Sequence, residues 1–145
     1  IKPLAEKYGL WQKHVFEYPK RISYFDVLVH LEAADAVFIS GSTEPHYTPS
    51  KIYQGVLSGK PIAAVLHSKS TGVNIIRQSG AGLVFDFEGE NDLQKIEKGF
   101  TAFFKSFTGF CSEFDKKNVD SELFEKFSAR SVTEQLVILL NKIIP

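Results

Sequence analysis

The chain has 145 residues, of which 43% are apolar and 23% are charged, and these values are typical of one globular domain with a packed core. Seventeen Lys and Arg residues balance seventeen Asp and Glu residues, so no overall positive charge favours nucleic acid as a partner. Cys111 is the single cysteine, which excludes an internal disulfide and a cysteine-ligated zinc site. We expect its side chain to be buried among neighbouring phenylalanines.

No apolar run approaches the roughly 20 residues that a transmembrane helix needs, and the first residues of the given sequence are not expected to form a signal peptide. The sequence begins with Ile and contains no Met. We therefore expect residues 1–145 to be a single domain that is a fragment of a longer protein.

The first third of the chain predicts two helices with a strand between them. Residues 2–9 read as the end of a helix that stops at Gly9. The alternating pattern of residues 11–18 predicts a strand. Ser23 is a typical N-cap for the next helix. That helix has apolar residues at helical spacing, namely Phe25, Leu28, Val29 and Ala33.

Three short apolar runs follow, at residues 36–40, 62–66 and 82–87, and each predicts a buried parallel strand. Helical segments separate them. Strands that alternate with helices indicate βαβ units with right-handed crossovers. The sequence therefore predicts an α/β fold, in which a Rossmann-like parallel sheet is flanked by helices on both faces.

The two helices between these strands have recognisable starts. One begins at Pro49 or Ser50, and the other, over residues 71–79, is capped by Ser70 or Thr71. After the third strand, a longer helix begins at Asn91 or Asp92 and reaches about Phe107.

The last part of the chain predicts a turn and two more helices. The turn is at Thr108–Gly109, and a short helix covers residues 120–127. After a joint at residues 128–130, Ser131 is expected to cap a final helix that ends near Ile144. Its apolar positions predict one buried face, formed by Val132, Leu136, Leu139, Leu140 and Ile143.

Ligands of open parallel sheets bind beyond the carboxyl ends of the strands. The loops that follow the first two predicted strands are SGSTEPHYT and HSKST, which are rich in hydroxyl groups, and the loop after the third, DFEGEN, is acidic. In the first loop, Thr48 as N-cap, Pro49 at the first helical position and Lys51 one turn later predict a phosphate cradle. An ordinary capped helix with a solvated lysine is the alternative.

A metal site is not predicted. His46 and His67 lie on adjacent loops, but a metal would need a third ligand, and Glu44 is the one nearby residue of a suitable type. The chain contains no glycine-rich dinucleotide fingerprint, no P-loop and no nucleophile elbow.

Four segments in order are distinctive: LEAADAVFIS, YTPSKIYQGVLSGKPIAAV, TGVNIIRQSGAGLVFDFEGENDLQKI and FEKFSARSVTEQLVILL. This ordered set resembles the donor-binding C-terminal domain of GT-B-fold retaining glycosyltransferases of the group 1 type. Together they cover most of residues 20–143, and the second segment is the most specific. The resemblance implies that this chain is one half of a GT-B fold.

The resemblance also implies where a nucleotide-sugar donor binds. Residues bordering the sugar and diphosphate would be Ser42, Thr43, Thr48, Pro49, Ser50 and Lys51. Gln54 would face the ribose, with Glu44, His46 and His67 as further candidates. Where the family often has two glutamates, this chain has His46 and Gln54.

For the whole protein, the resemblance implies sugar transfer from a nucleoside diphosphate to an acceptor hydroxyl, without a metal or another cofactor. It implies a cytoplasmic enzyme of cell-surface polysaccharide synthesis, peripheral to the inner face of the membrane, with a glycan or lipid-linked sugar as acceptor. The acceptor domain would precede this chain, so the isolated fragment should bind donor weakly and transfer nothing. No catalytic residue is assigned.

Two other functions remain open at this point. A related nucleotide-sugar epimerase would need carboxylates for proton transfer, and Glu44 and Asp86 are the available loop residues. A non-enzymatic α/β interaction module, similar to receiver or flavodoxin domains, is the other alternative.

Overall fold

A computed structural model describes residues 1–125 and 127–143 of the chain. These form two compact units, Ile1–His30 and the part from Leu31 onward. The first unit contains helix α1 (Lys2–Lys7) and most of α2 (Tyr24–Ala33). The second contains the sheet and all later helices.

The first unit confirms the helix that stops near Gly9, but the predicted strand at residues 11–18 is wrong. Gly9 has a φ of +66°, the left-handed conformation that ends helices. Trp11 and Val15 form one isolated bridge, and Gln12 has a φ of 56°. The Leu10 carbonyl accepts hydrogen bonds from the backbone N–H groups of residues 13, 14 and 15. The backbone N–H groups of residues 13–15 are therefore satisfied by hydrogen bonds within a turn, and not by pairing with a strand.

Helix α2 begins as predicted, with Ser23 as its cap. The Ser23 hydroxyl accepts from the Asp26 N–H at 3.1 Å, and the Asp26 carboxylate accepts from the Ser23 N–H at 3.3 Å. This reciprocal pair satisfies two donors that a helix start leaves open. None of its residues is buried, and Phe25 is 77% exposed. The apolar spacing thus predicted the helix correctly without a buried face.

The sheet confirms the predicted α/β fold class. It comprises β1 (Val37–Ser40), β2 (Ile62–His67) and β3 (Gly82–Phe87), all parallel and in the order β1-β2-β3. β2 is central and almost entirely buried. β1 is an edge strand, and its Phe38 is 55% exposed, so the first apolar run is buried on one side only.

Helices cover both faces of the sheet, as predicted. On one face lie α3 (Lys51–Leu57) and α4 (Thr71–Ser79), and Ile52, Ile62, Leu66 and Ile76 are fully buried there. Burial of each such side chain contributes about 1.5–3 kcal/mol. The close approach of α3 depends on Gly55, where a Cβ would lie 3.2 Å from Ile62.

The opposite face is covered by α5 (Leu93–Glu113), which a short 3₁₀ turn at Glu90–Asp92 precedes. The rings of Phe85 and Phe103 are 5.5 Å apart, and those of Phe38 and Phe100 are 6.2 Å apart, both edge to face. Such aromatic pairs contribute about 0.5–1.5 kcal/mol beyond the area that they bury.

Helix α5 runs through the predicted turn at Thr108–Gly109, so that prediction is wrong. The Thr108 hydroxyl donates to the Lys105 carbonyl at 2.7 Å, which it can do without leaving the helix. Gly109 costs the helix only about 1 kcal/mol. Ring contacts between residues 100 and 114 run along the helix and offset this cost.

The last two helices are α6 (Glu122–Glu125), shorter than predicted, and α7 (Ala129–Ile143). α7 starts earlier than expected, because Ser128 and not Ser131 is its cap: the Ser128 hydroxyl accepts from the Ser131 N–H at 3.1 Å. The predicted end near Ile144 lies outside the described residues.

The predicted buried face of α7 is wrong. No residue of this helix is buried, and the five side chains of that face are 44–75% exposed, namely Val132, Leu136, Leu139, Leu140 and Ile143. The spacing of these residues correctly predicts a helix. Burial also requires a second element that packs against the apolar face, and the spacing does not predict such an element. Among the described residues, no helix combines the length and the apolar character that crossing a bilayer requires.

Candidate functional site

The loops after β1 and β2 approach each other at the carboxyl edge of the sheet. The Gly41 N–H donates to the Val65 carbonyl at 2.8 Å and extends the pairing of the two strands by one residue. A Cβ on Gly41 would lie 3.0 Å from Leu66 Cδ2 and 3.2 Å from the Val65 oxygen. A small residue at this position therefore lets the first loop leave the sheet close to β2.

Three hydroxyl groups, which we call the hydroxyl cluster, join these loops: Thr48, Ser70 and Thr71. The Thr48 hydroxyl lies 2.8 Å from that of Thr71 and 3.4 Å from that of Ser70. Ser70 is 2% exposed and accepts from the Gly72 N–H at 3.3 Å, which confirms it as the cap of α4. The cluster thus fixes the first loop to the start of α4.

The predicted start of α3 is corrected by the same contacts. Thr48 does not cap α3, because its hydroxyl is directed to α4. Pro49 is buried and lies before the helix, and its carbonyl accepts from the Ile52 N–H at 3.0 Å. Ser50 occupies the N-cap position without a side-chain cap bond, and Lys51 is the first helical residue. The phosphate cradle built on a Thr48 cap is therefore not formed as predicted.

Ser50 and Lys51 are exposed, and Gln54 is half-buried on α3. Lys51 forms no ion pair with any residue that the structure describes. Its ammonium group is therefore free to contact an anion near the carboxyl edge of the sheet.

Residues 42–47 form a compact surface turn. The Ser42 hydroxyl accepts from the Glu44 N–H at 3.2 Å, and the Tyr47 N–H donates to the Glu44 carbonyl at 3.1 Å. Thr43, Glu44 and His46 are exposed. These side chains are exposed to solvent, and they precede Thr48 of the hydroxyl cluster by a few residues. The hydrogen bonds of the turn hold the backbone that carries them.

His67 is buried at the end of β2 and has a packing role. Its Nδ1 accepts from the Lys69 N–H at 3.1 Å, and its ring meets that of Phe87 edge to face at 5.8 Å. His46, by contrast, is exposed. Within residues 1–125 and 127–143 no three His, Cys, Asp or Glu side chains are grouped so that they could hold a metal ion.

Asp86, one of the two carboxylates considered for acid–base chemistry, is held by an ion pair. Arg77 Nη2 lies 2.7 Å from Asp86 Oδ1, and the two side chains are 50% and 39% exposed. The pair links α4 to β3. Because the carboxylate is engaged by a guanidinium, the arrangement favours a structural role.

Ser70 and Thr71 belong to the loop HSKST, which the sequence places at the ligand-binding edge, but as single residues they are predicted only as alternative helix caps. The signal was present, since hydroxyl residues follow both β1 and β2 and parallel strands end at the same edge. What the sequence did not indicate is that Thr48 would cross to the second loop. Comparison of the chain with family models, with curated proteins and with solved structures gives no match.

Proposed function

We propose that this chain is the donor-binding part of a glycosyltransferase with a GT-B fold, and that a nucleoside-diphosphate-sugar binds at the carboxyl edge of its sheet. The observation that carries the proposal is the hydroxyl cluster, which connects the loops after β1 and β2 where open parallel sheets bind ligands. The four ordered segments that resemble this family support it independently.

Hydroxyl groups suit such a donor because each can both donate and accept a hydrogen bond. Thr48 and Thr71 would contact phosphate or sugar oxygens, while Lys51 and Lys69 supply positive charge from the two loops. Lys69, like Lys51, forms no ion pair with a described residue. Gln54 on α3 would contact the ribose as a neutral amide.

In the reaction that we propose, the bond between the sugar's anomeric carbon and the diphosphate breaks and a bond to the acceptor oxygen forms. The proton of the acceptor hydroxyl passes to the released diphosphate or to water. The positive side chains stabilise the charge that develops on the leaving diphosphate. A second domain would hold the acceptor, a glycan or a lipid-linked sugar in cell-surface polysaccharide synthesis on the cytoplasmic side. The isolated chain would therefore bind donor without transferring sugar.

The proposal is tested by titrating ¹⁵N-labelled chain with UDP, GDP and ADP and recording amide chemical shifts. We expect one nucleotide to shift residues 42–54 and 67–71 selectively, with a dissociation constant below about 1 mM, which corresponds to about −4 kcal/mol. Ribose 5-phosphate serves as the matched control that lacks a base and a diphosphate. An absence of response to all three nucleotides at millimolar concentration would reject this function.

A further inference from the structure

Two grooves adjoin each other on the side of α3 that faces α6. Their volumes are about 450 Å³ and about 390 Å³. They share three lining residues, Leu57, Ser121 and Phe124, and together form one depression that we call the C-terminal trough. Each volume lies in the range of sites that bind small organic molecules.

The larger groove has an apolar wall. The rings of Tyr53 and Phe127 are 5.1 Å apart and edge to face, and Val132 of α7 lies beside them. Leu57 is 72% exposed although it forms part of the lining. A ligand with an apolar body would remove these surfaces from water, which is favourable in proportion to the area covered.

The smaller groove adds two positive charges, from Lys116 and Lys117. Neither forms an ion pair with any residue in the described part of the chain. The Asp115 carboxylate accepts from the Lys117 backbone N–H at 2.9 Å and so fixes the turn that carries both lysines. The Lys116 stem passes Gly59, where a Cβ would lie 3.4 Å from its Cδ. Both lysines therefore line the groove without an ion pair to a described residue.

Among the described residues, one carboxylate, that of Glu125, lines the larger groove and not the smaller one. Asp120 and Glu122 lie nearby in the chain but line neither groove. An anionic group is accordingly favoured at the lysine end and disfavoured at the far end. The charges of the described lining residues therefore favour one direction for a bound amphiphile.

We propose that the C-terminal trough binds an amphiphile with an anionic head group and an apolar chain. The head group lies at Lys116 and Lys117, and the chain passes Leu57 and Phe124 toward Tyr53. This site differs from the proposed donor site, because none of the three residues of the hydroxyl cluster lines either groove. The inference does not depend on the glycosyltransferase proposal.

The test uses the 145-residue chain and amide chemical shifts, with decanoate below its micelle concentration as the first probe. Decyl phosphate is the second probe, so that a carboxylate head and a phosphate head can be compared. Decyltrimethylammonium is the control, since it has the same chain and the opposite charge. We expect both anions to shift residues 53–59 and 116–132, with binding at least about fivefold tighter than that of the cation.

Two variants separate the head-group contacts from the chain contacts. Lys116→Gln combined with Lys117→Gln should weaken decanoate binding about three- to tenfold and abolish its preference over the cation. Leu57→Ser, at a highly exposed position that folding tolerates, should weaken both decyl ligands about fivefold. Lys105→Gln, on the exposed surface of α5, is the matched control and should leave binding unchanged.

Three outcomes would overturn the proposal. Equal binding of the cation and the anions would remove the role of the lysines. Shifts that centre outside the trough would place the ligand elsewhere. A stable dimer in sedimentation velocity, with the trough residues protected from hydrogen exchange at its interface, would identify a second copy of the chain as the occupant.

Discussion

Thr48 is the residue on which the candidate site depends. Its hydroxyl contacts Ser70 and Thr71 across a gap of more than twenty residues in sequence. Because it holds the loop after β1 against the start of α4, it serves both the fold and the proposed donor site. Removal of this one oxygen should therefore change both properties.

We predict that Thr48→Val lowers the affinity for the bound nucleotide about two- to tenfold. The reason is the loss of a hydrogen-bonding group, which contributes about 0.5–1.5 kcal/mol, and the free energy of unfolding should fall by a similar amount. Calorimetric titration and urea denaturation measure the two effects. Thr101→Val, on the exposed surface of α5, is the matched control. Equal behaviour of the two variants would show that the cluster has no role.

Gln54 stands where the resembling family often has a glutamate. If the proposed donor site is right, Gln54→Glu should strengthen nucleotide binding about three- to tenfold, since a hydrogen bond to a carboxylate is roughly twice as strong as a neutral one. Calorimetric titration measures the change. Gln78→Glu adds the same charge on the exposed surface of α4 and should have no effect. A similar response from both variants would indicate general electrostatics and not ribose contact.

At the scale of elements, the helices differ in what covers them. α4 buries Ile76 completely against the sheet, whereas the apolar side chains on the predicted buried face of α7 are 44–75% exposed. Both helices have apolar residues at helical spacing, so the sequence pattern does not distinguish them. α4 connects two paired strands and lies against them, whereas none of the residues of α7 is buried.

This difference gives a direct stability test. Ile76→Ala should lower the free energy of unfolding by about 2–5 kcal/mol, because it leaves a cavity in the core. Leu139→Ala in α7 should change it by less than about 0.5 kcal/mol, because the side chain is already exposed. Urea denaturation measures both. A loss of 2 kcal/mol or more for Leu139→Ala would mean that α7 is covered in solution.

Helix α5 carries Cys111, whose side chain is partly buried. The neighbouring phenylalanines led us to expect a buried side chain, so the structure shows less burial than predicted. Burial raises the pKa of its thiol above the usual value, although a backbone hydrogen bond acts in the opposite direction. The thiolate is therefore rarer at neutral pH than in a free cysteine.

We accordingly expect alkylation of Cys111 by iodoacetamide at pH 7 to be slower than that of glutathione, and its rate to level off at a higher pH. Because the pKa of the thiol is raised in the folded chain, the neutral thiol stabilises the fold relative to the thiolate. This contribution to the free energy of unfolding is complete below the ordinary pKa of the thiol and is lost as the pH rises through the folded-state pKa. A rate profile that levels off below the ordinary thiol pKa would contradict this expectation.

At the scale of the whole molecule, a small sheet and well-packed α3–α4 layer coexist with much uncovered apolar surface. Large apolar side chains are exposed on α2 and α7, among them Phe25, Val29, Leu136 and Ile143. Exposed patches of this kind are typical of surfaces that contact other molecules.

We predict strong binding of the dye ANS by the natively folded chain, because these surfaces are accessible. Near-ultraviolet circular dichroism should confirm that the core stays packed. Leu136→Gln combined with Leu139→Gln should reduce the ANS emission by a measurable fraction without a change in the dichroism. Emission as weak as that of a well-covered globular protein would show that the apolar faces of α2 and α7 are buried in solution.

The sequence by itself determined the order of the elements, the three strands, the cap of α2 and the stop at Gly9. These features follow from short-range patterns, since capping, left-handed glycine and periodicity depend on neighbours within a few residues. Short-range patterns gave wrong predictions in two places, the strand at residues 11–18 and the turn at Thr108–Gly109. There, turn hydrogen bonds and a run of phenylalanine contacts outweighed the pattern of the chain.

Only the tertiary structure decided that Thr48 bonds to Ser70 and Thr71, that Asp86 pairs with Arg77, and that the apolar face of α7 stays exposed. Each of these facts depends on which distant segment lies opposite a side chain. The spacing of apolar residues and the local composition determine which secondary structure a segment can form. The packing of the parallel strands determines which groups meet, and here it brings together two hydroxyl-rich loops that the sequence separates by a helix and a strand.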